Sequence, residues 1–366
     1  MILSTSPVVK IYWIPISCIL SVALFTNHAA TQQNSPTQNA CTRQQIISVL
    51  NATSSEDEQA VVNCNLRLSN ENIVTKHIVL AGEKASGTTI DCSNGVLDSS
   101  WAKERGKRTP IIIKSVLLPN GDWSIPSNIT IKNCTIKGTV IIYGLGLTAS
   151  DPAVRASSFN KNHTPYTQSV APNNITFTNN LFISNGSGAI YAGPGVTNIT
   201  VEDSTFEGKT SGTVIYLEAE TANNKIINNE FKAASQKREL IAIDGSAGNT
   251  VSRNTFYYPN KGAISLYRNC GEGGTIRHQT PQFNTIAYNT FIYAKKSTPK
   301  PAIWLNSRGG KQSYCFVDSD HPYGSSSNPL DFAENNSVYE NRFINSRTNY
   351  IRGFDKTNTI YKNNSQ

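Results

Sequence analysis

The sequence predicts an all-β solenoid of stacked parallel strands, and three observations carry that prediction. One motif recurs along most of the chain: an Asn or polar residue, alternating apolar residues, an Asn or Asp, and a closing Phe or Ile. It appears as NITIKNCTI from Asn128, NITFTNNLF from Asn174 and NITVEDSTF from Asn198, with shorter copies closing at Phe231, Phe256, Phe291 and Phe343. The closing aromatics Phe182, Phe206, Phe231 and Phe256 stand 24, 25 and 25 residues apart, the length of one coil. Charged residues make up only 16% of the chain, against about 25% in an average globular protein, too few for the salt-bridged outer faces of a helical fold.

The elements follow in order. Residues 1–30 have the form of an export signal: Lys10 precedes an apolar stretch from Ile11 to Phe25, and small residues follow at Ala29 and Ala30. No later apolar run approaches the roughly 20 residues that span a bilayer, so no stable membrane insertion is expected after cleavage. Residues 31–40, TQQNSPTQNA, form a polar linker, and the folded domain is expected over 41–366. Ile46, Ile47, Val49 and Leu50 give a short helical face, and from Val61 onward alternation takes over.

Within each repeat, alternation such as Ile175 and Phe177 places one side chain inward and the next outward. A second short apolar run follows each closing aromatic, as TVIYL at Thr213, LIAID at Leu240, AISLY at Ala263 and AIWLN at Ala302. Two or three strands per coil are therefore expected, with Ile175, Phe177, Val201, Ile226, Val251, Ile264, Leu266, Ile303 and Leu305 in the core. Asn at the turns suits the left-handed conformation, and its amide can hydrogen-bond along the stack. Once Cys18 leaves with the signal, six cysteines remain, an even number in a chain bound for an oxidising compartment. Six cysteines allow 15 pairings; pairing of neighbours, 41 with 64, 92 with 134 and 270 with 315, is expected.

These coils, preceded by a short helix and by IVLAGEKASGTTIDC from Ile78, resemble the right-handed parallel β-helix proteins. That group includes pectate-lyase-like enzymes and the carbohydrate-binding and sugar-hydrolase repeat proteins. The resemblance implies a right-handed parallel β-helix solenoid from Cys41 onward, with a short N-terminal capping helix held by Cys41–Cys64. It does not fix an activity, since one solenoid hosts many. The chain lacks the G-H-G of polygalacturonases, the R-x-P-x-x-R of pectate lyases and the D-P-H-D of mannuronan epimerases.

Three insertions break the period, at Ile136–Phe182, Phe256–Phe291 and Phe291–Phe343, and solenoid insertions gather on a binding face. The net charge of +8 is concentrated beside them: residues 235–366 hold 16 Lys+Arg and 9 Asp+Glu. A basic face on an exported solenoid points to an acidic ligand, and the resemblance to uronate-active β-helix enzymes implies that this ligand is an acidic polysaccharide; no nucleic-acid recognition motif is present, and nucleic acid is not expected as a partner. Arg268 and Arg308 end equivalent strands and could clamp a carboxylate. His278, Lys311, Tyr314 and His321 lie in the loops that follow. Together these six supply the roles of an elimination at a uronate: charge neutralisation, a base and an acid. Tyr267, Asn306, Arg277 and Trp304 are the expected substrate contacts.

A second constellation is acidic. Glu218 and Glu220 in YLEAE and Asp244 one coil later could hold Ca2+ or act as a carboxylate pair. YLEAE is similar to the paired acids that hold calcium in chondroitinase-B-like lyases, but those enzymes carry an Arg where this chain has Asp244. Asp318, Asp320 and His321 form a further candidate cluster. No other cofactor is expected. The expectation is a secreted or periplasmic protein, monomeric or weakly oligomeric, that binds and cleaves an acidic polysaccharide, with lyase-type β-elimination ahead of hydrolysis. The alternative is a non-catalytic carbohydrate-binding or adhesion solenoid.

Overall fold

The computed structural model describes residues 38–294, 300–308, 315–321, 324, 327–328, 330–346, 350–353 and 355–365. The proposed signal, the linker up to residue 37, Lys311, Tyr314 and Arg347 lie outside them. Three sheets run the length of the folded unit. The first has ten strands, from Gln59–Val61 to Ile351–Arg352; the second has ten, from Leu66–Arg67 to Thr359–Tyr361. The third has eleven on its main path, from Ile73–Val74 to Asn364–Ser365. Every coil gives one strand to each sheet, and neighbouring strands are parallel because the chain always returns in the same direction. The one antiparallel strand pair among the described residues is a short hairpin, Val116–Leu117 with Trp123–Ser124. This is the parallel β-helix expected.

The 24- to 25-residue period places like on like. Val201, Ile226, Val251, Ile286 and Val338 are in register along the second sheet. Phe182, Phe206, Phe231, Phe256, Phe291 and Phe343 stack along the third, with ring centroids 4.6–5.0 Å apart. All nine residues expected in the core are buried.

Asparagine divides its work between two positions. The first of each pair takes positive φ, as at Asn179, Asn223 and Asn228. The second is buried and forms a ladder, in which Asn229, Asn254 and Asn289 each donate Nδ2–H to the carboxamide oxygen one coil on, at 3.0 Å. At the positive-φ position Arg253, Phe283, Tyr288 and Glu340 also occur, bulky residues that rarely adopt it. The ladder, more than the turn residue's own preference, therefore holds the corner.

Helix α1 (Arg43–Leu50) opens with a capping box in which Thr42 and Gln45 satisfy each other's backbone N–H. It buries Val49 and packs Ile46 and Leu50 on the core, whereas Ile47, expected on the same face, points to solvent. The expected disulfides are all formed: Cys41–Cys64, Cys92–Cys134 and Cys270–Cys315. The first insertion, expected as a loop, contains two helices, α2 (Pro152–Ser158) and α3 (His163–Ser169). Asp151 before Pro152 is a helix-start signal, but the segment lacks apolar periodicity.

Candidate functional site

All three insertions meet along the edge of the first sheet where its strands end. Ile276 N–H donates to Ser158 Oγ at 2.9 Å, and the His278 ring bonds the Ser158 carbonyl at 2.6 Å. Arg277 N–H donates to the Gly324 carbonyl at 3.1 Å, and the Cys270–Cys315 bond ties the second insertion to the third.

The outward row of the first sheet runs between these loops and the turns at the opposite edge. From Ile112 it passes through Ile141, Tyr191 and Tyr216 and continues Ala242, Ser265, Trp304, Arg352, each in register with the next. The row is apolar and aromatic in its first half. In the second half the small Ala242, which is fully buried, and Ser265 separate Tyr216 from Trp304 in the row.

Beside Ser265 and Trp304 lies a cleft of about 160 Å³. Ser265 forms its floor, Trp304 and Tyr267 its walls, and Lys237, Arg238, Lys261, Lys300 and Arg308 bring five cations to it. Glu239 is its one carboxylate. Arg238 donates to Glu239 at 2.7 Å and to the Tyr267 hydroxyl at 2.5 Å, and that hydroxyl donates to Glu239 at 3.1 Å. Burial and then Glu239 push the Tyr267 phenol well above its usual range, so it stays protonated. The Arg308 guanidinium lies over the Tyr267 ring, 4.7 Å from its centroid. The lining of the cleft thus brings five cationic side chains together with one carboxylate.

Beside the cleft, under the same face, lies a buried charge cluster. Arg277 Nη1 is 2.7 Å from Glu218 and 3.4 Å from Asp244. The half-buried Tyr191 and Tyr216 donate their hydroxyls to Glu218 at 2.6 Å and to Asp244 at 2.5 Å. Asn269 donates two further bonds to Asp244, both at 2.8 Å. Burial pushes both carboxyls up; the closer guanidinium outweighs it at Glu218, whose pKa falls, and burial wins at Asp244. Glu220 faces elsewhere, accepting from Thr164 and from the backbone N–H groups of His278 and Gln279. The guanidinium occupies the place between Glu218 and Asp244 that a cation would need. No group of three His, Cys, Asp or Glu among the described residues could hold a metal ion.

The residues singled out by sequence are thus divided between surroundings. Arg308, Tyr267 and Trp304 line the cleft, with Arg352 placed over the Trp304 ring at 4.7 Å. Arg277 is 2% exposed and bound to acids. Arg268 does not share the cleft with Arg308: it is 3% exposed, packs on Phe332 and donates to the Leu330 carbonyl at 3.2 Å. Burial brings its pKa down to about 10 despite Asp331 nearby. His278 holds the α2–α3 insertion, His321 lies 3.3 Å from Asp318, and Asn306 accepts from Ala333 N–H at 2.9 Å. Lysines 237, 261 and 300, Arg238 and Glu239 went unnoticed because they precede strands in turns; the KRE run at 237–239 and Lys261, 24 residues after Lys237, were the available signal.

A family model described as "Right handed beta helix region" matches residues 120–310. No curated protein matches the sequence. Among solved structures, an alginate lyase from a Paenibacillus species superposes with a TM-score of 0.47 at 11% identity, over 90% of this chain and 95% of that one. A mannuronan C-5 epimerase module from Azotobacter vinelandii gives 0.33 at 9% identity, covering 90% and 98%. A Streptococcus pneumoniae surface protein and adhesin gives 0.37 at 13% identity, covering 90% and 94%. Such distant likenesses carry nothing about activity.

Proposed function

Since the chain belongs to the right-handed β-helix family, we propose that it is an exported protein that binds an acidic, uronate-containing polysaccharide along the outward face of its first sheet and cleaves it by β-elimination. The observation that supports this reading most is the cleft in which five cations surround two aromatic rings. A polyuronate offers what such a cleft lacks: carboxylates for the guanidinium and ammonium groups, and sugar faces for Trp304 and Tyr267. The three disulfides agree with an oxidising compartment. No helix among the described residues is long and apolar enough to cross a membrane.

The chemistry follows from the charges. Arg308 and its neighbours neutralise the uronate carboxylate, which acidifies the C5 hydrogen. A base removes that proton, the electron pair forms the C4–C5 double bond, and the C4–O bond breaks with its electrons on oxygen, which takes up a proton. Arginine cannot be the base and Tyr267 is held protonated, so the reading assigns that task to a lysine of the cleft.

Incubating the mature protein with uronate polymers and following the ultraviolet absorbance of the unsaturated product tests the reading. Binding with product supports it in full. Binding without product leaves a non-catalytic carbohydrate-binding solenoid, and absence of binding overturns both.

A further inference from the structure

Three cations of the cationic cleft stand in a column. Ile241, Ile264 and Ile303 are in register along the first sheet, and the residues three before them are Arg238, Lys261 and Lys300. Each coil thus brings a cation to the turn by which the chain enters the sheet, about 4.8 Å from the next at the spacing of neighbouring strands. In the first of these coils Arg238 is bound to Glu239, the cleft's one carboxylate, at 2.7 Å, and Lys237 beside it supplies the uncompensated charge. Lys237, Lys261 and Lys300 are all exposed and make no ion pair among the described residues. Like charges held opposite one another on neighbouring strands repel, so this column asks for anions from outside the chain. It is also short. Three residues before Ile215, which is in register with Ile241, stands Gly212. Three before Ile351, in register with Ile303, the sequence has the uncharged Thr348.

We infer that the cleft is built for consecutive uronates: a run in which every sugar carries a carboxylate, laid along the solenoid axis with one sugar to each coil. The inference rests on the acidic-polysaccharide reading and narrows it to polymers with contiguous uronate blocks. A sugar in an extended chain is about as long as the step from one coil to the next. Carboxylates on three adjacent uronates therefore meet Lys237, Lys261 and Lys300 in turn. Where a neutral sugar separates the uronates, the carboxylates fall two coils apart, and a chain that reaches Lys237 and Lys300 leaves Lys261 without a partner. The column sets the length of the run as well. Past either end the equivalent position is uncharged, so a fourth uronate gains no ion pair from it.

The test titrates the mature protein with homouronate oligomers of increasing length, and with oligomers in which the same number of uronates alternate with neutral sugars. Affinity is expected to rise about threefold with each uronate up to the third, the size of one exposed ion pair, and to level off beyond it. With three carboxylates in each, the alternating oligomer should bind about threefold more weakly than the contiguous one. Two variants should move the length at which affinity levels off. Lys300→Gln removes one end of the column and should lower that length from three uronates to two. Gly212→Lys extends the column by one coil and should raise it to four. A Cβ at Gly212 meets no atom within 4 Å, and the backbone there lies outside the left-handed region, so the fold tolerates the change. A length that either variant leaves at three overturns the inference, as does equal or tighter binding of the alternating oligomers; both results leave the acidic-polysaccharide reading standing. Binding of neither series overturns both.

Discussion

At the scale of single residues, the difference between an arginine that can meet a ligand and one that cannot is burial. Arg308 and Arg268 end equivalent strands, yet only Arg308 lines the cationic cleft. Arg308→Ala should weaken polyuronate binding by about 2–5 kcal/mol, the cost of breaking a partly desolvated charge pair, whereas Arg342→Ala on the third sheet should cost under about 1 kcal/mol. Titration calorimetry of the two variants checks this. Arg268→Ala should instead lower the unfolding midpoint, because it removes packing on Phe332 and the bond to Leu330. A second residue sets a pH dependence. Burial, and then His278 across a 5.4 Å ring contact, hold the His163 imidazole at about 4, below its ordinary 6.5. The unfolded chain therefore binds more protons than the folded one between those values, and stability is lost as pH falls from about 6.5 to about 4. The loss should approach 2–3 kcal/mol, and urea midpoints at pH 7 and pH 4.5 should differ less in His163→Gln.

At the scale of elements, the repeating coil was legible because its period shows in the sequence. Phenylalanines at 24 and 25 residues, alternating β-branched residues and paired asparagines all demand the same register, and the core followed from them. The corner was only half legible: asparagine's tolerance of positive φ suggested the turns, but Phe283 and Tyr288 occupy the same conformation. What fixes the corner is the buried amide ladder in the next position, which appears only when coils are stacked. Asn254→Leu should therefore destabilise more than Arg253→Gly, which relieves a strained φ. Thermal unfolding of the pair checks that order. Phe256→Ala should cost about 3–5 kcal/mol, since it empties a fully buried position between two stacked rings. The α2–α3 insertion was invisible as helix because seven-residue helices held by tertiary bonds need no amphipathic stripe.

At the scale of the whole molecule, a solenoid separates fold from site. The stack supplies a straight row of outward positions, and the turns on either side decide what the row can bind. The insertions drew notice in the sequence because they break the period, and they do converge, with Arg277, Glu218 and Asp244 locked beneath the face. The cationic cleft lay in ordinary turns, where Lys237, Lys261 and Lys300 become neighbours only after coiling. All six cysteines of the folded domain should be oxidised, so thiol titration of the denatured, unreduced mature protein should find none. Attraction of a polyanion to the cleft should also weaken steeply as salt is raised. The most direct test of the cleft as the binding site is polyuronate affinity in two double variants of equal charge change: Lys261→Gln with Lys300→Gln in the cleft, and Lys84→Gln with Lys225→Gln away from it. The first pair is predicted to lose affinity by about tenfold or more and the second by less than about twofold, the difference between contact and screened charge; equal losses in both would contradict the assignment and leave only diffuse attraction.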